Sequence, residues 1–130
     1  MDKTIEAAAL HRRGFNCAQS VALPFCEELG LDAALIKRAA EGFGAGMGDR
    51  EQTCGALSGA IMIAGLKHAD SEDPASKAAT YAVCARMSEA FAKQCGASVC
   101  ADIKGRDGQP TCSCEECIRI GVRLAEQALK

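Results

Sequence analysis

The sequence predicts an all-α fold, a compact single-domain helical bundle of about five to seven helices spanning residues 1–130. Capping residues recur just ahead of apolar stretches. Gly and Pro punctuate those stretches at helix-length intervals, and no run of strand length alternates apolar with polar residues. The composition, 48% hydrophobic and 25% charged, fits an ordinary globular core rather than a disordered chain. Aromatics are only 4% and Trp is absent, so Ala, Leu, Ile, Val, Met and Cys must fill the interior by close packing of small side chains.

Residues 3–13 read as a short first helix. Asn16-Cys17-Ala18-Gln19 has the form of a capping box and opens a second helix toward Leu29, bent at Pro24 and stopped by Gly30. Asp32 caps a third helix through about residue 43. The glycine-rich segment 42–48 then forms a loop expected to wrap close to Cys54; it lacks the Gly-Lys-Ser/Thr ending of a phosphate-binding loop. Thr53 is read as the cap of a fourth helix reaching about His68. Asp73-Pro74 pairs an N-cap with a first-turn proline and starts a long helix that Gly96 ends after Cys95. On it Tyr81, Cys84, Ser88, Phe91 and Cys95 share a face by spacing. A helical turn over about 98–103, a polar loop over 105–111 and a Ser113/Glu116 capping box lead into the last helix, through 129.

A net charge of −2 leaves no basic footprint for a phosphate backbone, so nucleic acid is excluded as a partner. The first residues carry acids and no apolar signal core, and the longest apolar run, 55–66, is too short to cross a bilayer. The expectation is a soluble, cytoplasmic protein with no membrane span.

Nine cysteines, an odd number, cannot all pair within one chain. In a reducing compartment such enrichment points to metal ligation or redox chemistry rather than to a disulfide framework. A helix N-terminus lowers a thiol pKa, and Cys17, Cys54 and Cys114 each fall in the first turn of an expected helix. The bland alternative is that small residues are simply tolerated there. Cys54, with its Thr cap and flanking Gly55, is expected to be more acidic than Cys26, Cys84 or Cys95 and is the leading nucleophile candidate. Cys26 and Cys84 read as small core hydrophobes, and Cys95, at a helix C-terminus, as structural. Cys112-Ser113-Cys114-Glu115-Glu116-Cys117 contains a C-x-x-C step. Its glutamates oppose thiolate formation, a repulsion that a bound cation would relieve, so Cys112 and Cys114 lean toward metal or cluster ligation. Gly55 and Gly59, each costing about 1 kcal/mol relative to Ala inside a helix, imply close approach by another helix backbone or a cofactor. His11 and His68 have no ligand partner at helical spacing.

The segments Asn16-Cys17-Ala18, Gly42-Phe43-Gly44-Ala45-Gly46-Met47-Gly48 and Thr53-Cys54-Gly55-Ala56-Leu57-Ser58-Gly59-Ala60 resemble those of the C_GCAxxG_C_C family of redox-active proteins, over nearly the whole chain. That family is characterised by a CGAxxG motif and four cysteines. The resemblance implies that Cys17, Cys54, Cys100 and Cys117 are the corresponding residues here, with Cys95, Cys112 and Cys114 as additions.

Two functions are consistent with these features. In the first, Cys17, Cys54, Cys100 and Cys117 converge and cycle between dithiol and disulfide, with Gly55 and Gly59 admitting a cofactor or a second helix. In the second, the same thiols with Cys112 and Cys114 hold an iron–sulfur cluster or Zn(II). The partner is then a redox protein or a small-molecule oxidant or reductant, and self-association into a homo-oligomer is left open.

Overall fold

Capping chemistry sets most helix starts. In the computed structural model, which describes residues 2–130, Asp2 accepts the Thr4 N–H at 2.8 Å and opens α1 (Lys3–Arg12). Asn16 opens α2 (Cys17–Ala22) with both bonds of a capping box. Pro24 lies in a 3-10 turn that carries the helix on into α3 (Cys26–Leu29), which Gly30 ends in a left-handed conformation. Asp32 caps α4 (Ala33–Ala40), and a single irregular turn, α5 (Gly44–Met47), comes after it. The chain continues through α6 (Gly55–His68), α7 (Lys77–Cys95), α8 (Cys100–Lys104) and α9 (Cys114–Ala128). The described residues are all-α. Their extended backbone includes one isolated antiparallel bridge, between Thr53 and Val99.

That bridge corrects one expected cap. Thr53 is spent on pairing, and Cys54 is the N-cap of α6, with no side-chain cap bond. The Cys54 N–H donates to the Ser98 carbonyl (2.7 Å) and the Cys100 N–H to the Gln52 carbonyl (2.8 Å), so two cysteines distant in sequence sit side by side.

α6 occupies the centre, packed against α2, α7 and α9, while α1 lies against α9. Phe25, Leu57, Ile63, Phe91, Ile118 and Val122 are fully buried, each contributing roughly 1.5–3 kcal/mol by leaving water. The buried stripe of α7 runs through Met87, Phe91 and Cys95. Tyr81, expected on that face, is 66% exposed, and no residue of α7 before Met87 is buried. Small residues set the α2/α6 crossing: a Cβ at Gly59 would lie 2.6 Å from the Ala18 carbonyl oxygen. No described helix is long and apolar enough to cross a membrane.

Candidate functional site

Cys17 is the first residue of α2, directly after its Asn16 cap. The Asn16 amide also donates to the Glu41 carbonyl at 2.9 Å, tying the start of α2 to the end of α4. Gly55 and Gly59 let this helix lie on α6: Cβ atoms there would meet Cys17 and Ala18. Gly59 thus accommodates the backbone that carries Cys17, and Gly55 first of all the Phe43 carbonyl oxygen, which would stand 2.9 Å from its Cβ. Gly46, at φ +57, lets the 44–50 segment pass Cys100, since a Cβ there would come 2.5 Å from the Cys100 Cβ. Cys114 opens α9 after the Ser113 cap, and Cys117 is buried three residues on.

These elements enclose an open cavity of about 500 Å³, lined by Cys17, Cys54, Cys100, Cys112, Cys114 and Cys117 with Lys104, Arg50 and His11. The structure thus brings together the four cysteines named by resemblance and both additional candidates of the 112–117 segment. Gly55 also lines the cavity; Gly59 lies deeper, against α2. Cys26 and Cys84 lie outside it. Backbone strain gathers beside the cavity: Ala45 and Arg50, which line it, and Met47 between them adopt positive φ, of 53°, 66° and 64°. Such clusters persist only where the surroundings over-determine them. Here the Arg50 N–H donates to the Ala45 carbonyl (2.8 Å) and its carbonyl accepts the Ala101 N–H (2.7 Å).

The electrostatics differ from the sequence expectation. The Cys114 thiol is drawn down to about 5, first by the Cys17 S–H directed at it and then by the Lys104 ammonium, which donates to Sγ at 2.9 Å. Cys17 is correspondingly pushed well up, by that same contact and by burial. Glu115, expected to oppose a thiolate here, instead pairs with Arg12 (3.3 Å) and Arg119 (3.4 Å). Cys54, expected to be more acidic than Cys26, Cys84 or Cys95, is instead pushed up by its contact with Cys117 and by burial. The N–H groups of Ala56 and Leu57 do lower it, as a helix N-terminus should, but they are outweighed. Burial likewise raises Cys100.

A second thiol group lies at the cavity wall. The sulfurs of Cys95, Cys112 and Cys117 are all within 4.8 Å of one another. Cys95 reaches it because the Thr111 hydroxyl donates to the Cys95 carbonyl (2.6 Å), folding the 105–113 loop onto the end of α7. Sulfurs bound to one Zn(II) at about 2.3 Å stand roughly 3.8 Å apart in a tetrahedron, so a small contraction would suffice. The all-sulfur donor set fits soft metals. Cys54, whose thiol is directed at Cys117, is the nearest candidate for a fourth donor. Cys54 lowers the Cys117 thiol, but Cys95, burial and Cys112 together leave it raised. Cys95 is the site residue that sequence reasoning missed. Its helix C-terminal position argues against a thiolate, and no local spacing links it to Cys112.

Comparison with family models matches residues 15–128 to the family described as "Putative redox-active protein (C_GCAxxG_C_C)". Comparisons with curated proteins and with solved structures gave no match.

Proposed function

The chain belongs to the C_GCAxxG_C_C family, and we propose that it is a thiol redox protein whose reactive pair is Cys114 and Cys17. The observation that carries this reading is the setting of Cys114, held between the Lys104 ammonium and the Cys17 thiol on the wall of an open cavity. A thiolate so stabilised attacks a disulfide sulfur, and the adjacent thiol resolves the mixed disulfide. The partner in this reading is a disulfide, borne by a redox protein or a small molecule. Cys54, Cys100 and Cys117 line the same cavity and supply further thiols for exchange. A reducing compartment such as the cytosol suits this chemistry.

The test is to treat the reduced protein with one equivalent of a disulfide oxidant and to map the resulting bond by peptide mass. A Cys17–Cys114 disulfide is expected. Oxidation of a different pair, with both of these left as thiols, overturns the assignment.

A specific observation favours a second reading, metal ligation, at a neighbouring place: the three mutually close sulfurs of Cys95, Cys112 and Cys117. Of the six cysteines offered as ligands by sequence, this retains Cys112 and Cys117 and adds Cys95. Cys114 is less suited, because the Lys104 ammonium already takes up its sulfur.

A further inference from the structure

The cavity that holds Cys114 is lined by Arg50, Lys104 and His11 and by no Asp or Glu, although the chain as a whole carries a net charge of −2. Among the described residues, none of these three side chains pairs with a carboxylate. The acids nearest in sequence, Asp49, Glu51, Asp102, Glu115 and Glu116, do not line the cavity; Asp49 accepts the Glu51 N–H (2.9 Å), and three of the others are ion-paired away from it. Glu51 pairs with Arg106 at 3.0 Å, Asp102 with the same guanidinium at 2.6 Å, and Glu115 with Arg12 and Arg119. The strained backbone at Arg50 is held by main-chain bonds to Ala45 and Ala101, fixing the point on the wall from which this side chain extends. Apolar surface from Ile103, Pro110 and Ala45 completes the wall. At about 500 Å³ the space lies within the usual range for small-molecule sites, roughly 300–1,000 Å³.

From this charge arrangement we infer that the cavity takes a small anionic disulfide, an organic RS–SR carrying carboxylates near the sulfurs, as oxidant of the Cys17/Cys114 pair. The inference rests on the redox reading above and names its substrate class. A thiolate and an anionic disulfide repel one another in free solution. Arg50, beside the Lys104 that already faces Cys114, offsets that repulsion and, with the His11 ring as a further hydrogen-bonding group, holds the carboxylates, while the apolar wall accepts the organic body.

The reaction balances without another reactant. The Cys114 thiolate attacks one substrate sulfur; the RS–SR bond breaks, a Cys114–S–S–R bond forms, and one RS⁻ departs. Cys17 gives its proton to that departing thiolate, and its sulfur attacks the Cys114 Sγ, releasing the second RS⁻. The two protein thiols lose two electrons and become one disulfide. The substrate gains them, leaving as one thiol and one thiolate.

The test compares dithiodiglycolate (anionic), hydroxyethyl disulfide (neutral) and cystamine (cationic) against the reduced full chain at low salt. Each rate of Cys17–Cys114 oxidation is divided by the rate of the same disulfide with free mercaptoethanol. The normalised rate for dithiodiglycolate is expected to exceed that for the neutral disulfide roughly ten-fold, to exceed that for cystamine by more, and to lose this advantage as salt rises. Arg50→Asn, which keeps a residue tolerant of positive φ, is expected to reduce the anionic-to-neutral ratio several-fold. Equal normalised rates, or faster reaction with cystamine, overturn the substrate class while leaving the redox pair standing. Failure of all three disulfides to oxidise Cys17 and Cys114 overturns the redox reading and this inference together.

Discussion

Lys104 Nζ meets Cys114 Sγ at 2.9 Å, the last residue of α8 against the first of α9 across the loop between them. With the Cys17 S–H on the same sulfur, this contact makes Cys114 the acidic thiol of the cavity, at about 5. A thiol lowered in this way is a thiolate above that pH and becomes S–H as pH falls through it. Alkylation of Cys114 by iodoacetamide, read out by peptide mass, is therefore expected to rise through about pH 5 and level off, while Cys54 and Cys100 react only at alkaline pH. Lys104→Met and Cys17→Ala should each move the Cys114 midpoint upward by roughly 1–3 units, Cys17→Ala the further. Unchanged midpoints in both variants would remove this account of the thiolate.

The three close sulfurs of Cys95, Cys112 and Cys117 predict a distinct metal behaviour. One equivalent of Cd(II) added to the reduced protein should produce a thiolate-to-metal charge-transfer band. Binding must displace thiol protons, and Cys117 holds its own tightly, so affinity should fall as pH falls. Cys95→Ser should weaken Cd(II) at least roughly 10-fold, whereas Cys26→Ser, away from the group, should not. Equal losses in the two variants would dissolve the assignment.

Much of the fold is legible because helix starts are written locally. Asn16, Asp32, Asp73 and Ser113 each accept a backbone N–H of the succeeding turn, and each is readable from its residue type and its immediate downstream neighbours. The site is legible only in part. Gly55 and Gly59 announce a close approach, but only the packed structure shows that the neighbours are the Phe43 carbonyl at Gly55 and the α2 backbone at Gly59. The acidity of Cys114 depends on Lys104, ten residues earlier, and on Cys17, about three-quarters of the chain away. The same distance hides the pairing of Glu115 with Arg12. Thr53 has the local form of a cap because its bridge partner, Val99, is invisible to local pattern.

Asn16 links stability to the site. It accepts the Gln19 N–H at 2.9 Å and donates to the Glu41 carbonyl at 2.9 Å, one residue before Cys17. Asn16→Ala should cost roughly 1–2 kcal/mol in denaturant unfolding through the lost cap, with an unpaired carbonyl in addition. Asn16→Asp should recover the cap but not the donor, and so fall between the two. Equal stability of all three proteins would show that the start of α2 is held by other means.

The two glycines Gly59 and Gly65 of α6 should respond differently to alanine. A Cβ at Gly59 would come 2.6 Å from the Ala18 carbonyl oxygen and 3.0 Å from the Ala18 Cα, both backbone atoms that cannot rotate away. Separating α2 from α6 should cost roughly 1–3 kcal/mol, offsetting or exceeding the roughly 1 kcal/mol that Ala contributes over Gly in a helix. At Gly65 nothing lies within 4 Å of the added methyl, so the propensity gain should appear as roughly 0.4–1 kcal/mol of added stability. Because α2 begins at Cys17, displacing it should also withdraw the S–H from Cys114. Gly59→Ala should therefore raise the pH midpoint of Cys114 alkylation while Gly65→Ala leaves it in place. Thermal melts and the alkylation profile of the two variants, measured together, decide the matter: matched melting temperatures and matched midpoints would show that the α2/α6 contact neither limits packing nor positions Cys17.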